Sequence, residues 1–149
     1  MSSSPSPNTD VLRLHELAVE CRLGVYEWEQ RTPQTVWLDL ELSIDAARAA
    51  ARDDVRDAVD YAALAERVRR LAASRPFKLM ETLVEAAAAT ALEVSGSARV
   101  RVRVRKRALE GLGYAEVEVE RTSHAARTGQ ASRGRTSRRT IRSPRAART

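Results

Sequence analysis

Period-two alternation of apolar and polar residues marks out strands along this chain, and helical periodicity fills its middle. Val36, Leu38, Leu40, Leu42 and Ile44 interleave with Trp37, Asp39, Glu41, Ser43 and Asp45, the pattern of a half-buried antiparallel strand. Val100, Val102 and Val104 alternate with Arg99, Arg101, Arg103 and Arg105, and Val117 and Val119 with Glu116, Glu118 and Glu120, which predicts two more strands. Upstream, Val11, Leu12, Leu14, Leu17, Val19 and Cys21 alternate imperfectly. The slip predicts a strand carrying a bulge or bend. Gly24 to Pro33 reads as a turn or loop, and Ala46 to Asp57 as an Ala-rich, acidic connection.

Asp60 is placed to cap a helix in which Tyr61, Leu64, Val68 and Leu71 recur at helical spacing. Ser74-Arg75-Pro76 breaks it. Leu79 to Val94 predicts a second helix with a small face, Ala86 to Ala89 and Ala91, ended by Gly96. The order is strand, strand, helix, helix, strand, strand. That is an α+β arrangement (ββααββ), a four-stranded antiparallel sheet with two antiparallel helices on one face. The arginine and glutamate rows predict cross-strand pairing on the solvated face of a hairpin. Four strands leave two open edges, and closing several copies into a larger barrel would remove them.

Charge changes the picture only when it is located. The formal net charge is +6, but residues 121–149 hold 9 arginines and no acidic residue, which leaves the first 120 residues at −3. The body is mildly acidic. Positions 1–10 are expected to be a disordered leader, 11–121 one folded domain, and 122–149 a disordered Arg-rich tail too poor in apolar residues to offset ordering entropy. A polyanion grip through that tail is the nucleic-acid reading. No aromatic residue interleaves its arginines for base stacking, so a dispensable extension is the preferred one. Cys21 is the single cysteine, which excludes an intrachain disulfide and a cysteine-rich metal site. No apolar run approaches membrane-spanning length, and the start lacks the pattern of a secretory signal; the expectation is a soluble cytoplasmic protein without a membrane partner.

Candidate chemistry is sparse. With two histidines and no phosphate-cradling glycine loop, neither a zinc cluster nor a Ser/His/Asp set is visible. Polar residues at element ends remain: Glu27 and Glu29 in the first loop, Tyr61 at a helix start, Glu81 in the first turn of the second helix, and Lys106 at the end of the third strand. Singly, each reads as an ordinary surface or capping residue.

Together they resemble the dihydroneopterin aldolase family over about Val11 to Arg121. The resemblance rests on Gly24-Val25-Tyr26-Glu27-Trp28-Glu29-Gln30, on Asp53-Asp54-Val55 followed by Asp60-Tyr61, on Leu79-Met80-Glu81, and on Lys106 after the alternating third strand. It implies a tunnelling fold in which four subunits close a 16-stranded barrel and two rings commonly stack, with active sites between subunits. It implies retro-aldol cleavage of 7,8-dihydroneopterin in folate biosynthesis, with no cofactor and no metal. It also implies roles: Glu81 and backbone near Met80 hold the pterin, Ala58, Val59 and Tyr61 of a neighbouring subunit complete the pocket, and Lys106, Tyr61 and Glu29 serve the chemistry. A free lysine titrates near 10.4, so a basic role calls for burial or nearby positive charge, which Arg105 and Arg107 are placed to supply.

Two positions depart from the family pattern. Arg107 follows Lys106 where many members have proline, and Leu23 precedes Gly24 where many have histidine. Zinc-dependent pterin enzymes of the same fold need a histidine or cysteine triad that this chain lacks. Two alternatives stay open: an epimerase acting on dihydroneopterin or its triphosphate, and a non-catalytic nucleic-acid-binding module driven by the tail.

Overall fold

A computed structural model describes residues 8–124. Four strands form one antiparallel sheet in the order β1-β2-β3-β4: β1 Val11–Cys21, β2 Gln34–Ser43, β3 Arg99–Lys106 and β4 Ala115–Thr122. Two long helices, α3 (Tyr61–Ala73) and α4 (Met80–Ser95), enter between β2 and β3 and cover one face. α3 lies over β1, and α4 over β3 and β4. The architecture is the expected ββααββ sheet-and-helix layer.

The alternation explains the layering. Val36, Leu38, Leu40 and Leu42 of β2 and Val100, Val102 and Val104 of β3 are buried against Leu64, Val68, Leu83, Val84, Ala87, Ala88 and Ala91 of the helices. The small alanine face of α4 lets its backbone approach, as ridge-and-groove packing requires. Truncating a buried leucine such as Leu40 would cost about 2–5 kcal/mol.

The opposite face is a charge ladder. The register places Arg13, Glu41, Arg101 and Glu120 in one row across all four strands. Adjacent members of that row pair at 3.3, 3.5 and 3.6 Å. Arg103 meets Glu118 at 2.6 Å in the next row. Each exposed pair contributes roughly 0.2–1 kcal/mol, so the ladder sets register more than stability.

The slip in the first strand is a bulge. Leu14 faces Leu40, but Leu17 faces Leu38, so β1 carries one residue more than its partner. Glu16 takes up the excess at φ 55°, with its N–H donated to Asp39 Oδ1 at 2.7 Å.

Two connections are more ordered than their sequences suggested. The loop after Gly24 contains a short helix, α1 (Glu27–Arg31). The Ala46–Asp57 connection folds as α2 (Ala46–Arg52), capped by Asp45, and a 3-10 turn at Val55–Asp57 capped by Asp54. Arg52 and Asp57 tie the two at 3.0 Å. The longer helices start and stop near the expected points. The Asp60 carboxylate accepts from the Ala63 N–H at 3.0 Å, and Gly96 ends α4 at φ 66°.

Most of the leader and tail, with the polyanion reading attached to the tail, lies outside the described residues. The part of the leader that is described, Asn8 to Asp10, is tied to the end of β2 through Asn8 Nδ2 to the Ile44 carbonyl at 2.7 Å and the Ile44 N–H to the Asp10 carbonyl at 3.1 Å. Thr122 ends β4, and the Ser123 N–H donates to the Ala98 carbonyl at 2.8 Å. Among the described residues no helix is long and apolar enough to cross a membrane.

Candidate active site

Lys106 ends β3 on the side that faces the core, and alternation carries its chain inward beneath α1. Its ammonium is buried and donates two bonds: to Glu29 Oε2 at 3.0 Å and to the Leu23 carbonyl at 3.1 Å. Glu29 reaches this position because α1 turns its third residue inward, where the other carboxylate oxygen accepts from the Tyr26 N–H at 3.4 Å. A buried lysine and carboxylate are tolerable only as a hydrogen-bonded pair, since removing one leaves the other uncompensated.

The wall around the pair is backbone. Gly24 lies against the Glu29 carboxylate so closely that a methyl group there would come within 2.0–2.2 Å of its atoms. Its φ of 151° is also one that other residues rarely adopt. Gln34 Nε2 donates to the Leu23 carbonyl at 2.6 Å, beside the lysine. Gln30 Nε2 bridges the carbonyls of Gly24 and Phe77, the latter at 3.0 Å. Backbone bonds from Gly24 N–H to the Phe77 carbonyl (3.0 Å) and from Phe77 N–H to the Arg22 carbonyl (2.9 Å) complete a short parallel bridge.

That bridge places the start of α4 at the same end of the molecule as Lys106. Leu79 occupies the cap position without a side-chain cap bond, so the first N–H groups of the helix are not satisfied by a capping side chain. Glu81 sits exposed in the first turn and Met80 packs half-buried against the core. A groove of about 450 Å³ runs beside them, lined by Val25, Gln30, Lys78, Leu79 and Thr82 among others.

Ala58, Val59 and Tyr61 lie elsewhere. They line a separate cleft of about 460 Å³, together with Ser95, Gly96 and Ser97 just past the far end of α4. At 1.5 Å per residue, the length of α4 puts Tyr61 roughly 20 Å from Glu81 within one chain. Tyr61 is 59% exposed, whereas Lys106 and Glu29 are each 8% exposed. One chain therefore pairs Glu29 with Lys106, sets Met80 and Glu81 at the same end of the molecule, and holds Ala58, Val59 and Tyr61 apart from them.

Arg105 and Arg107 do not face the lysine. Arg105 is directed at Asp39 (3.4 Å), and both guanidinium groups gather at the ring of Tyr114. The charge beside the Lys106 ammonium is the Glu29 carboxylate. Burial pushes the neighbouring Cys21 thiol up to about 11, against smaller opposing effects of Arg22 and Lys106. Among the described residues no group of three or more His, Cys, Asp or Glu is arranged to hold a metal ion. Sequence reasoning missed Gln34, the carbonyl-bridging role of Gln30 and the close approach at Gly24. A glycine followed at six and ten positions by glutamine was the available signal, legible only once Phe77 is known to lie alongside.

The comparisons with known proteins agree with this fold. The dihydroneopterin aldolase (FolB) family model matches residues 12–122. A dihydroneopterin aldolase of Methylorubrum extorquens is 43% identical over 83 residues, 56% of this chain and 64% of that protein. The Escherichia coli enzyme is 37% identical over 79 residues, 53% of this chain and 65% of that protein. The chain thus spans just under two thirds of the length of these curated relatives. Among solved structures, the Escherichia coli dihydroneopterin aldolase in complex with neopterin superposes with a TM-score of 0.72 at 33% identity, covering 76% of this chain and 99% of that one. A dihydroneopterin aldolase from Burkholderia thailendensis bound to guanine gives 0.66 at 27%, covering 78% and 93%. With the sheet, the helix pair and the buried lysine–glutamate contact all falling inside the matched segment, this chain belongs to the dihydroneopterin aldolase family.

Proposed function

We propose that this chain cleaves 7,8-dihydroneopterin by a retro-aldol reaction, releasing glycolaldehyde and leaving 6-hydroxymethyl-7,8-dihydropterin. The observation that carries the reading is the buried Lys106–Glu29 contact at 3.0 Å, an acid/base pair at the same end of the molecule as the start of α4, where Glu81 stands exposed. The pterin edge offers an exocyclic amine and a ring N–H, which the Glu81 carboxylate accepts as a bidentate pair. The N–H groups at the start of α4, near Met80, which no capping side chain takes up, suit the adjacent ring carbonyl.

The bond to break joins the first and second side-chain carbons. With its extra proton passed to Glu29, the neutral Lys106 amine takes the proton from the second side-chain hydroxyl through a water. The electron pair of the breaking bond then flows into the N5=C6 imine of the ring. Glycolaldehyde leaves, and the resulting enamine is reprotonated at the first side-chain carbon. Because the substrate carries its own imine, the step asks for proton transfer rather than a lysine Schiff base. Glu29 orients the lysine and exchanges protons with it.

The second half of the site comes from a neighbouring copy. Ala58, Val59 and Tyr61 are too far from Lys106 to serve it within one chain, and they line a cleft on which Ala58 and Tyr61 are exposed and Val59 is half-buried. A ring of four subunits, with β1 and β4 edges paired around a 16-stranded barrel, brings the Tyr61 hydroxyl to the Lys106 of the next copy and satisfies the sheet edges. The free, buried thiol of Cys21 suits a reducing compartment, the cytoplasm.

The test is to incubate the protein with 7,8-dihydroneopterin in the presence of a chelator and to look for glycolaldehyde. Glycolaldehyde from the wild type, and none from Lys106→Ala, is the expected result. Formation of the epimer alone would turn the reaction into epimerisation at the same site. Absence of both products would end the aldolase reading.

A further inference from the structure

We propose that Tyr114 is a positioning residue for Lys106, acting through the two arginines that flank it. The inference rests on the aldolase reading for its kinetic consequence, but the geometry is independent of it. Tyr114 ends the connection from β3 to β4. Its ring meets Trp37 of β2 edge to face, with centroids 5.7 Å apart and planes at 85°. The Arg105 guanidinium stands 6.0 Å from the ring centroid and that of Arg107 stands 5.7 Å from it. A guanidinium within about 6 Å of a tyrosine face is held by the ring quadrupole.

The placement is specific to the lysine. Trp37 is the β2 residue opposite Arg105, and Ala115, next to Tyr114, is the β4 residue opposite Lys106. One ring therefore touches the side chain before Lys106, the side chain after it and the strand beside it. Arg105 is fixed further by Asp39 at 3.4 Å and Glu16 at 3.9 Å. Arg107 lies one residue past the end of β3, with the Tyr114 ring as its contact among the described residues. Without that contact the end of β3 is held on one side by the Lys106–Ala115 pair alone, and any shift of the strand end there is carried to Lys106 Nζ. A displacement near 1 Å at a reacting group costs up to about a hundredfold in rate.

Proline offers a way to separate positioning from packing. At position 107 it would hold Lys106 in the extended region by steric contact alone, which is the conformation a strand residue already has. It would make the Tyr114–Arg107 contact unnecessary.

The experiment compares full-length Tyr114→Phe, Tyr114→Leu and Tyr114→Leu/Arg107→Pro with wild type. It follows glycolaldehyde release for kcat and KM, and backbone amide exchange at residues 104–106. Tyr114→Phe keeps the ring and should stay within about twofold in kcat. Tyr114→Leu should lose roughly tenfold in kcat with KM little changed, and its amides should exchange faster. The double variant should recover most of the kcat and the protection. Wild-type kcat in Tyr114→Leu, or a loss that Arg107→Pro does not restore, would overturn the proposal. If the wild type releases no glycolaldehyde, the aldolase reading fails by itself. The positioning claim is then decided by exchange: unchanged protection in Tyr114→Leu sinks it, and faster exchange reversed by proline upholds it.

Discussion

The two ends of the helix layer carry the two halves of the candidate site, and they are built differently. At the α4 N-terminus, Lys106 and Glu29 are buried, bonded to each other and walled by the Leu23 and Gly24 backbone. At the other end, Tyr61 and Ala58 stand exposed on a cleft, beside half-buried Val59. The buried half is preassembled within one chain. The exposed half has the character of a surface waiting for a partner, because a tyrosine body left in water gains from being covered. In the proposed function the acid/base pair is thus made at folding, and the pocket is completed only at assembly.

The sharpest way to break this contrast is Lys106→Ala. Loss of a proton-transfer group should lower kcat by about 10²–10⁴-fold, while pterin binding, read by fluorescence titration, stays close to wild type because Glu81 is untouched. Equal loss of binding would mean that the lysine holds substrate rather than moving protons.

Mixing tests the partition directly. Lys106→Ala and Tyr61→Ala subunits, each inactive alone, are unfolded together and refolded into mixed rings. With sites shared between neighbours, about a quarter of them should carry both native side chains, and activity should return in that proportion. No recovery from properly mixed rings would place both residues in the same chain's site and contradict the separation seen along α4.

Gly24→Ala probes the buried half by itself. The added methyl would meet the Glu29 carboxylate, so the acid must swing away from Lys106. Backbone strain should lower stability by about 1–3 kcal/mol, measured by urea denaturation, with a fall in kcat. A variant as stable and active as wild type would show that the loop can reshape and that the pair is not preassembled.

The smallest effect concerns dryness. Burial raises the Cys21 thiol from 9.0 to about 11, so the unfolded chain loses this proton first as pH rises. Stability contributed by Cys21 is intact below pH 9 and declines toward pH 11, with a slope of at most ~1.4 kcal/mol for each step of one in pH. The difference in Tm between wild type and Cys21→Ala, followed across that range, should change in that direction. A flat difference would mean that water reaches the thiol.

What was legible in the sequence followed periodicity. Val36 to Ile44 and Arg99 to Arg105 alternate cleanly because one face is packed and the other is wet, and the ladder of Arg103 with Glu118 follows from the same alternation. α2 was not legible: Ala46–Arg52 buries none of its residues, so no apolar stripe announces it. α1 has five residues, too few for a period, and Trp28 and Tyr26 remain exposed. The motif residues of the site were visible one by one. The contact between Glu29 and Lys106 spans 77 positions and depends on a parallel bridge between Leu23 and Phe77, which no local spacing encodes. The expectation that Arg105 and Arg107 serve Lys106 electrostatically gave way to their gathering at Tyr114, because side chains of adjacent strand residues leave on opposite faces.

The extra residue at Glu16 works as a key cut into a free edge. β1 is an outermost strand, and its outer rim of N–H and C=O groups would accept a neighbouring strand at any even offset were it uniform. The backbone reversal at Glu16, pinned to Asp39, breaks that uniformity at one place. Sliding an incoming strand by two residues would preserve its inward and outward faces yet misalign it with this notch. In the proposed ring, assembly errors that the polar and apolar faces cannot detect are thereby made distinguishable by shape.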